Sequence, residues 1–427
     1  MMHRSPMFWI ILAALVLRVG AACWLQHDLD VNKKRPFLIM GDAQGYWDLG
    51  QKIADGKPYE LYRRQVLRMP GYPAFVAGSI RLAEALGMPD NAHLVARLLM
   101  AGVGTLACGL VALLGRMLFD APTGTLAAAI AAIAPPLVGF SVILLSETLF
   151  AVTLLASLWC MARLISSAAD GSARIRWAAW GAITGVAIGV AVYVRPSWLL
   201  AALCFAALLA AWLCRRRPVW ECLATAAIVV AFTYGSLFPW AYRNFEVTGH
   251  WIWTTLWVGP SLYDGFNPQA NGESNMQFFE QDRLMDRMTE YEVDRQYRDK
   301  TWEFIRDHPR KALGLTVDKV VRFWMPWPNA EQFSGMGLRL AVAAYFIPVV
   351  LAAVLGWIFG PRNYWAWVLT LGPILYFSAI HAVFLGSLRY RLPAEYPLCI
   401  AAAVGLRHIW TGRVRVKRVE SGVRSGK

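Results

Sequence analysis

The chain has 427 residues, of which 57% are hydrophobic and 16% are charged, and its formal net charge at pH 7 is +14. Apolar runs of about 20 residues recur along it, and a run of that length can cross a hydrocarbon core of about 30 Å. This composition excludes a soluble catalytic domain of ordinary size. It predicts an all-α polytopic membrane protein, whose basic residues contact membrane lipids or phosphates and not nucleic acid.

Ten segments are predicted to span the membrane. They are residues 7–25, 92–115, 122–142, 146–166, 175–194, 196–214, 219–241, 338–359, 363–384 and 391–410. If all ten span, the basic short loops and the basic tail 407–427 fall on one side, which the positive-inside rule makes the cytoplasm. Both termini are then inside, and two longer segments, 26–91 and 242–337, lie on the outer face. The short, charged stretch 73–87 is expected to form a re-entrant or surface-lying helix.

These segments divide the chain into three parts. Residues 1–241 form an N-terminal transmembrane module that includes the first outer loop, which carries the expected catalytic site. Residues 242–337 form an outer-face helical loop, with helical periodicity over 276–307 and a further helix over 310–324. Residues 338–427 contain the last transmembrane helices and the basic cytoplasmic tail.

The first outer loop holds the main acidic candidate. Asp42 precedes apolar residues at helical spacing that end before Gly56, which predicts an amphipathic helix with an Asp cap and a Gly stop. Asp42 could serve only as that cap, or it could act as a general base, because a carboxylate beside a low-dielectric boundary can be tuned for proton transfer. Asp28 and Asp30 are a rival acidic pair. Glu147 begins a span on the outer side, where it either complements the helix dipole or binds a substrate.

Three arginines are predicted on the outer side, where the positive-inside rule does not require them. Arg195 precedes a proline, and Arg389 and Arg391 flank Tyr390. They could extend to lipid headgroups, and Arg391 could pair with Glu395 one turn away. Alternatively they form a phosphate clamp, since guanidinium groups bind phosphate oxygens bidentately.

In chain order, these pieces resemble the bacterial GT-C glycosyltransferases, in particular the protein-mannosyltransferase and aminoarabinose-transferase branch. The resemblance rests on seven stretches spread over nearly the whole chain. They are Gly41-Asp42 to Tyr46, Met69 to Pro73, Ser146-Glu147, Arg195-Pro196, Pro239 to Asn244, His308-Pro309 with Lys319 to Trp324, and Arg389 to Pro393.

The resemblance implies an inverting transferase that takes a sugar from a polyprenyl-phosphate donor on the outer face of the bacterial inner membrane. By this analogy Asp42 deprotonates an acceptor hydroxyl and Glu147 orients the acceptor. Substrate- or phosphate-binding roles are expected for Arg68, Tyr72, Arg195, Arg389, Tyr390 and Arg391. No cofactor is certain; a divalent cation is possible, with Asp42 and Glu147 as its ligands, although Ala43 stands where many relatives carry a second acid.

Two other functions remain open from the sequence. One is a glycan polymerase or ligase of another multispan family, and the other is a transporter or flippase of a lipid-linked substrate. Transporters tend to show internal repeats and polar residues at the membrane midplane, whereas here the polar groups collect toward one face. Neither the sugar nor the acceptor, which could be a lipid, a glycan or a protein, follows from the sequence.

Overall fold

The computed structural model describes residues 6–169, 174–328, 333 and 335–411. Seventeen α-helices, and no β-strand, occur in these ranges. They are α1 Pro6–His27, α2 Met40–Ala54, α3 Gly71–Ala85, α4 Ala92–Leu118, α5 Ala121–Ile133, α6 Pro135–Phe140, α7 Glu147–Ala169, α8 Arg174–Val194, α9 Leu199–Leu213, α10 Val219–Thr248, α11 Val258–Gly265, α12 Gln277–Asp282, α13 Glu290–Asp307, α14 Pro309–Trp324, α15 Met336–Phe359, α16 Tyr364–Val383 and α17 Leu388–Thr411. The predicted all-α class is confirmed.

Eight of the helices within the described ranges are long and apolar enough to cross a membrane. They are α1, which continues as a π-helical turn over Asp28–Lys33, together with α4, α7, α8, α9, α10, α15 and α16. Each corresponds to one of the predicted spans. The chain is therefore a multi-pass membrane protein.

The predicted span 122–142 is not one continuous helix. α5 ends at Ile133 after 13 residues, and α6 begins at Pro135 and has only six. Pro135 and Pro136 have no backbone N–H, so the carbonyls of Ala131 and Ala132 lose their helical partners. The buried Arg18 of α1 replaces those partners, because its guanidinium donates to Ala132 O at 3.0 Å and to Ala131 O at 3.1 Å.

The predicted span 391–410 is a helix, α17, but its surroundings differ from those of the other spans. It begins three residues earlier than expected, and its residues from 391 to 405 are buried among neighbouring helices. It packs against α4, α5, α7, α14, α15 and α16. α17 is thus the central helix of the bundle, which explains how it keeps charged residues such as Arg391 and Glu395.

The two long connecting segments, 26–91 and 242–337, form one polar unit. The backbone N–H of Leu256 donates to Val66 O at 2.9 Å. Glu290, in the first turn of α13, accepts hydrogen bonds from the N–H groups of Gln65 and Val66 at 2.9 and 3.1 Å. Arg243 at the end of α10 donates to Gln65 O at 2.6 Å. The irregular strap 57–69 is therefore held in place by the second segment.

Most helices expected in these segments are present. The stretch 73–87 forms α3, whose 15 residues span about 22 Å at 1.5 Å per residue, and its placement in the membrane stays a prediction. Residues 310–324 form α14 as expected. The periodic region 276–307 is not one helix, because Arg283 adopts a left-handed backbone (φ 46°) and separates α12 from α13.

Candidate active site

Asp42 is not the N-cap of its helix, so the cap interpretation of the sequence was wrong. α2 begins at Met40, and no side-chain cap hydrogen bond is made there. The Asp42 carboxylate instead pairs with two guanidinium groups that are distant in sequence. One oxygen accepts from Arg68, and the other accepts from Arg389 Nη1 at 2.7 Å. The two ion pairs fix the position of the carboxylate, and the side chain remains 31% exposed, so a ligand can reach it.

Glu147 lies beside Asp42 because Arg389 joins the two. It is the first residue of α7 and is buried to 1% exposure. Its Oε1 accepts from Arg195 Nη1 at 2.8 Å and from Arg389 Nε. Arg389 therefore bridges both carboxylates with different nitrogens of one guanidinium group. We call Asp42, Arg68, Glu147, Arg195 and Arg389 the charged cluster.

The electrostatic balance of the charged cluster favours an anionic ligand. Three guanidinium groups face two carboxylates, which leaves a formal charge of +1. Burial alone would raise the pKa of Asp42, but Arg68 and Arg389 outweigh it and hold that pKa well below its usual range. Burial would likewise lower the pKa of Arg68, and the neighbouring Asp42 raises it. Asp42 is therefore ionised in the free protein.

Aromatic side chains surround the charged cluster on two sides. On one side Arg68 lies 4.9 Å from the ring of Tyr46, and Tyr72 meets that ring edge-on with centroids 4.9 Å apart. Tyr72 is fully buried, and its hydroxyl has no hydrogen-bond partner among the described residues. On the other side Arg195 lies 5.4 Å from the ring of Tyr390. These rings limit the orientations of the two guanidinium groups.

His381 supports Tyr390, and the sequence analysis missed it. Their rings stack with centroids 4.4 Å apart and nearly parallel planes. His381 Nδ1 lies 2.7 Å from Leu385 O, in the turn that leads to Arg389. A histidine inside an apolar span was the only signal available, and such a residue is usually a satisfied core side chain.

Arg391 does not belong to the charged cluster. Two residues on a helix point about 200° apart, so Arg391 faces away from Arg389. It is fully buried, pairs with Glu395 at 2.6 Å, and donates to the carbonyls of Phe323 and Met325 at 2.9 and 2.6 Å. The expected pairing with Glu395 is confirmed. The phosphate-clamp interpretation of Arg391 is not retained, because its guanidinium stabilises the C-terminus of α14.

Asp28 and Asp30 are also separate from the charged cluster. Asp28 accepts from Asn32 at 2.9 Å and lies 3.6 Å from Lys33. Asp30 accepts from Gln26 at 2.9 Å. These contacts are local pairs at the end of α1 and in the π-helical turn that follows it.

A cavity of about 800 Å³ adjoins the charged cluster through Arg389 and Tyr390. Its walls have two characters. One part is apolar and is lined from α1, α6 and α15, by residues that include Trp24, Phe140 and Val342. The other part is polar and includes the loop 272–274 and Arg322. The cavity therefore suits a ligand with a long apolar chain and a polar, anionic head.

The donor set of the cluster does not fit a divalent cation. Asp42 and Glu147 are its only carboxylates, and Arg389 already lies between them. A cation there would be repelled by the adjacent guanidinium groups. Within the described ranges, no three side chains of His, Cys, Asp or Glu come together as a metal site.

Comparison with known proteins gives one family match. The sequence profile of the family described as dolichyl-phosphate-mannose-protein mannosyltransferase matches residues 70–237, which include Glu147 and Arg195 but not Asp42. No curated protein sequence matches the chain.

Solved structures of an archaeal oligosaccharyltransferase share the fold. The archaeal oligosaccharyltransferase AglB from Archaeoglobus fulgidus, in complex with an inhibitory peptide and a dolichol-phosphate, has a TM-score of 0.55 at 14% identity over 94% of this chain. The apo oligosaccharyltransferase of the same organism has a TM-score of 0.58 at 15% identity over 95% of this chain. This chain covers 51% of each of these proteins, so it spans about half their length. At this identity the likeness establishes the fold.

Proposed function

We propose that this chain is a membrane glycosyltransferase of the GT-C superfamily and transfers a sugar from a polyprenyl-phosphate donor to an acceptor hydroxyl, which its family match and its fold support. The reaction inverts the anomeric centre and takes place on the outer face of a bacterial inner membrane. Two facts about similar proteins support a lipid-phosphate donor: the family's description names a dolichyl-phosphate sugar, and AglB was solved with a dolichol-phosphate.

The donor would bind across the border between the cavity and the charged cluster. The isoprenoid chain suits the apolar wall that includes Trp24, Phe140 and Val342. The phosphodiester then lies at Arg389, which lines the cavity and carries the positive charge of the cluster to it. Arg195, whose guanidinium group lies 5.4 Å from the ring of Tyr390, adds a second positive charge near the same anion. Guanidinium groups suit this task because they remain charged and bind phosphate oxygens bidentately.

Asp42 would act as the general base. The acceptor oxygen attacks the anomeric carbon as its proton passes to the Asp42 carboxylate, and the bond from that carbon to the phosphate oxygen breaks. The free polyprenyl phosphate carries away the electron pair, and Arg389 stabilises the charge that develops on it. Glu147 orients the acceptor. Tyr72 is a second candidate for this role, because its hydroxyl has no hydrogen-bond partner among the described residues.

Donor binding would also activate this base. In the free protein Arg389 is shared between Asp42 and Glu147, and it lowers the pKa of Asp42. A bound phosphate competes for the guanidinium group of Arg389, so the ion pair between Arg389 and Asp42 weakens. The pKa of Asp42 then rises toward its ordinary value, which makes the carboxylate a stronger base when the donor is in place.

The observation that carries this proposal is the position of Arg389. It connects both candidate carboxylates to the amphipathic cavity of about 800 Å³.

The test is release of free polyprenyl phosphate by the purified protein from labelled polyprenyl-phosphate sugars. We expect Asp42→Asn to remain folded and to lose about 10²–10⁴-fold in turnover, the range typical of a lost general base. Asp55→Asn, at the far end of the same helix, is the matched control and should keep full activity. Near-normal turnover of Asp42→Asn would exclude it as the base. Transport of the donor across vesicles without any release would favour a flippase instead.

A further inference from the structure

We propose that the loop 271–275, together with Arg322, is a subsite that recognises the hydroxyl groups of the donor sugar. The inference rests on the proposed function, since it assumes that a lipid-phosphate sugar enters the cavity. It adds a specificity element from the second connecting segment, which lies on the polar wall of the cavity that Arg389 and Tyr390 also line.

Hydrogen bonds fix the conformation of this loop. The buried carboxylate of Asp264, at the end of α11, accepts from Ser274 Oγ at 2.7 Å and from the N–H of Asn275 at 2.8 Å. Asn271 Oδ1 accepts from the N–H of Glu273 at 3.0 Å. These bonds fix the backbone on both sides of Glu273, so its carboxylate starts from a defined position.

Gly272 lets the loop approach α14 closely. Its φ of +85° lies in the left-handed region, which residues other than glycine rarely adopt. A Cβ at this position would also lie 3.2 Å from Arg322 Cδ. The loop therefore lies directly against Arg322, and Glu273 pairs with that guanidinium group across the gap.

Arg322 is held on a rigid element. The buried ammonium of Lys319, one turn earlier on α14, donates to Val383 O at 2.9 Å and to Gly265 O at 3.2 Å. Arg391 binds the carbonyls of Phe323 and Met325 at the end of the same helix. α14 is thus tied to α11, α16 and α17, and Arg322 cannot move away from the cavity wall with its helix.

Asp28 and Lys33 also line the cavity and pair with each other at 3.6 Å. The charges of the other two polar groups, the charged cluster and the Glu273–Arg322 pair, suit different parts of the donor. The charged cluster has a formal charge of +1 and suits the phosphate. The Glu273–Arg322 pair is neutral, so it has no net attraction for an anion, but it offers planar donors and acceptors. Such a pair can bind adjacent hydroxyl groups bidentately, with Glu273 accepting and Arg322 donating. Glu273 is 58% exposed and Arg322 22%, so both are open to a ligand.

The experiment measures direct binding, with the full chain in nanodiscs. The probes are polyprenyl phosphate carrying glucose, mannose or galactose, and polyprenyl phosphate without a sugar. Mannose and galactose each differ from glucose in the configuration of one ring hydroxyl. We expect the wild type to prefer one hexose. Glu273→Gln and Arg322→Gln should each lower affinity for that hexose about tenfold to hundredfold, as for a lost hydrogen bond to a charged group, and should reduce the discrimination. Binding of sugar-free polyprenyl phosphate should not change.

Glu280→Gln, an exposed glutamate in the same segment, is the matched control and should bind like the wild type. A wild type that binds all three hexoses equally would overturn the inference. So would a Glu273→Gln variant with unchanged hexose affinity, or with equal losses for every probe including the sugar-free lipid. Each of these results leaves the proposed transferase intact. Failure of the wild type to bind any probe would overturn both proposals.

Discussion

Arg389 makes contacts that a lysine cannot reproduce. Its Nη1 and Nε reach different carboxylates, Asp42 and Glu147, whereas a lysine has one nitrogen and no planar fork. We expect donor affinity and turnover to fall in the order wild type, Arg389→Lys, Arg389→Ala. Donor titration and the release assay measure this series. Arg391→Lys is the comparison, because the structure predicts lower thermal stability there and unchanged donor affinity. Equal donor affinity in all Arg389 variants would exclude the clamp.

The pH dependence of turnover tests the coupling between Arg389 and Asp42. In the free protein the pKa of Asp42 lies below the ordinary value of about 4. The acid limb of kcat/KM, which reports the free protein, should therefore fall below about pH 4. The acid limb of the single-turnover rate of the donor complex should lie at a higher pH than the acid limb of kcat/KM. In that complex the phosphate has drawn Arg389 away, and the pKa of Asp42 has risen. Coinciding limbs, or a lower pH for the donor complex, would contradict this mechanism.

Single residues show where the sequence was sufficient and where it was not. Asp42 and Glu147 could be selected as carboxylates at a membrane boundary, and Arg195 and Arg389 as arginines on the side where the positive-inside rule does not require them. Their mutual contacts could not, since pairs such as Asp42 with Arg389 depend on how distant helices pack. Arg389 and Arg391 looked equivalent in the sequence. Only the start of α17 at Leu388, with its helical rotation, separates a residue of the cluster from a residue of the core.

At the scale of elements, the break between α5 and α6 shows what hydropathy cannot detect. The run 122–142 is apolar throughout, and the predicted continuous span followed from that. Pro135 and Pro136 were the available signal, because each removes a backbone donor. Their partner was not readable from the sequence: Arg18 lies more than 100 residues away, inside an apolar helix, where it resembled only an interruption of a span.

The broken helix should depend on Arg18 for stability. In Arg18→Met the side chain keeps its length, but the carbonyls of Ala131 and Ala132 lose their donor. A buried acceptor left unsatisfied costs about 1–3 kcal/mol, so thermal unfolding in detergent should begin at a clearly lower temperature than for the wild type. Arg116→Met, at an exposed position on α4, is the matched control and should unfold like the wild type. Unchanged stability of Arg18→Met would show that water or another group satisfies these carbonyls.

At the scale of the whole molecule, local sequence patterns predict most of the helices, whereas the site depends on how those helices pack together. The spans and the helices α2 and α14 were predicted from hydropathy, periodicity and proline positions. The unit formed by the two connecting segments was not predicted, because it rests on backbone contacts such as Leu256 to Val66 and on Glu290. The charged cluster takes its side chains from α2, the strap 57–69, α7, the residue after α8, and α17, and no local pattern relates these five positions.

The sidedness of the molecule is the remaining prediction at this scale. The basic short loops indicate that 215–217 faces the cytoplasm, while both connecting segments face outward. Single cysteines at Lys57, Gln281 and Arg216, in a cysteine-free background, can be labelled in intact cells with a membrane-impermeant maleimide. We expect labelling at Lys57 and Gln281, and labelling at Arg216 only after the membrane is opened. Lys57 and Gln281 must agree, because their segments are hydrogen-bonded to each other. If Lys57 and Arg216 were labelled from the same side, the ten-span topology and an outer-face site near Asp42 would both have to be abandoned.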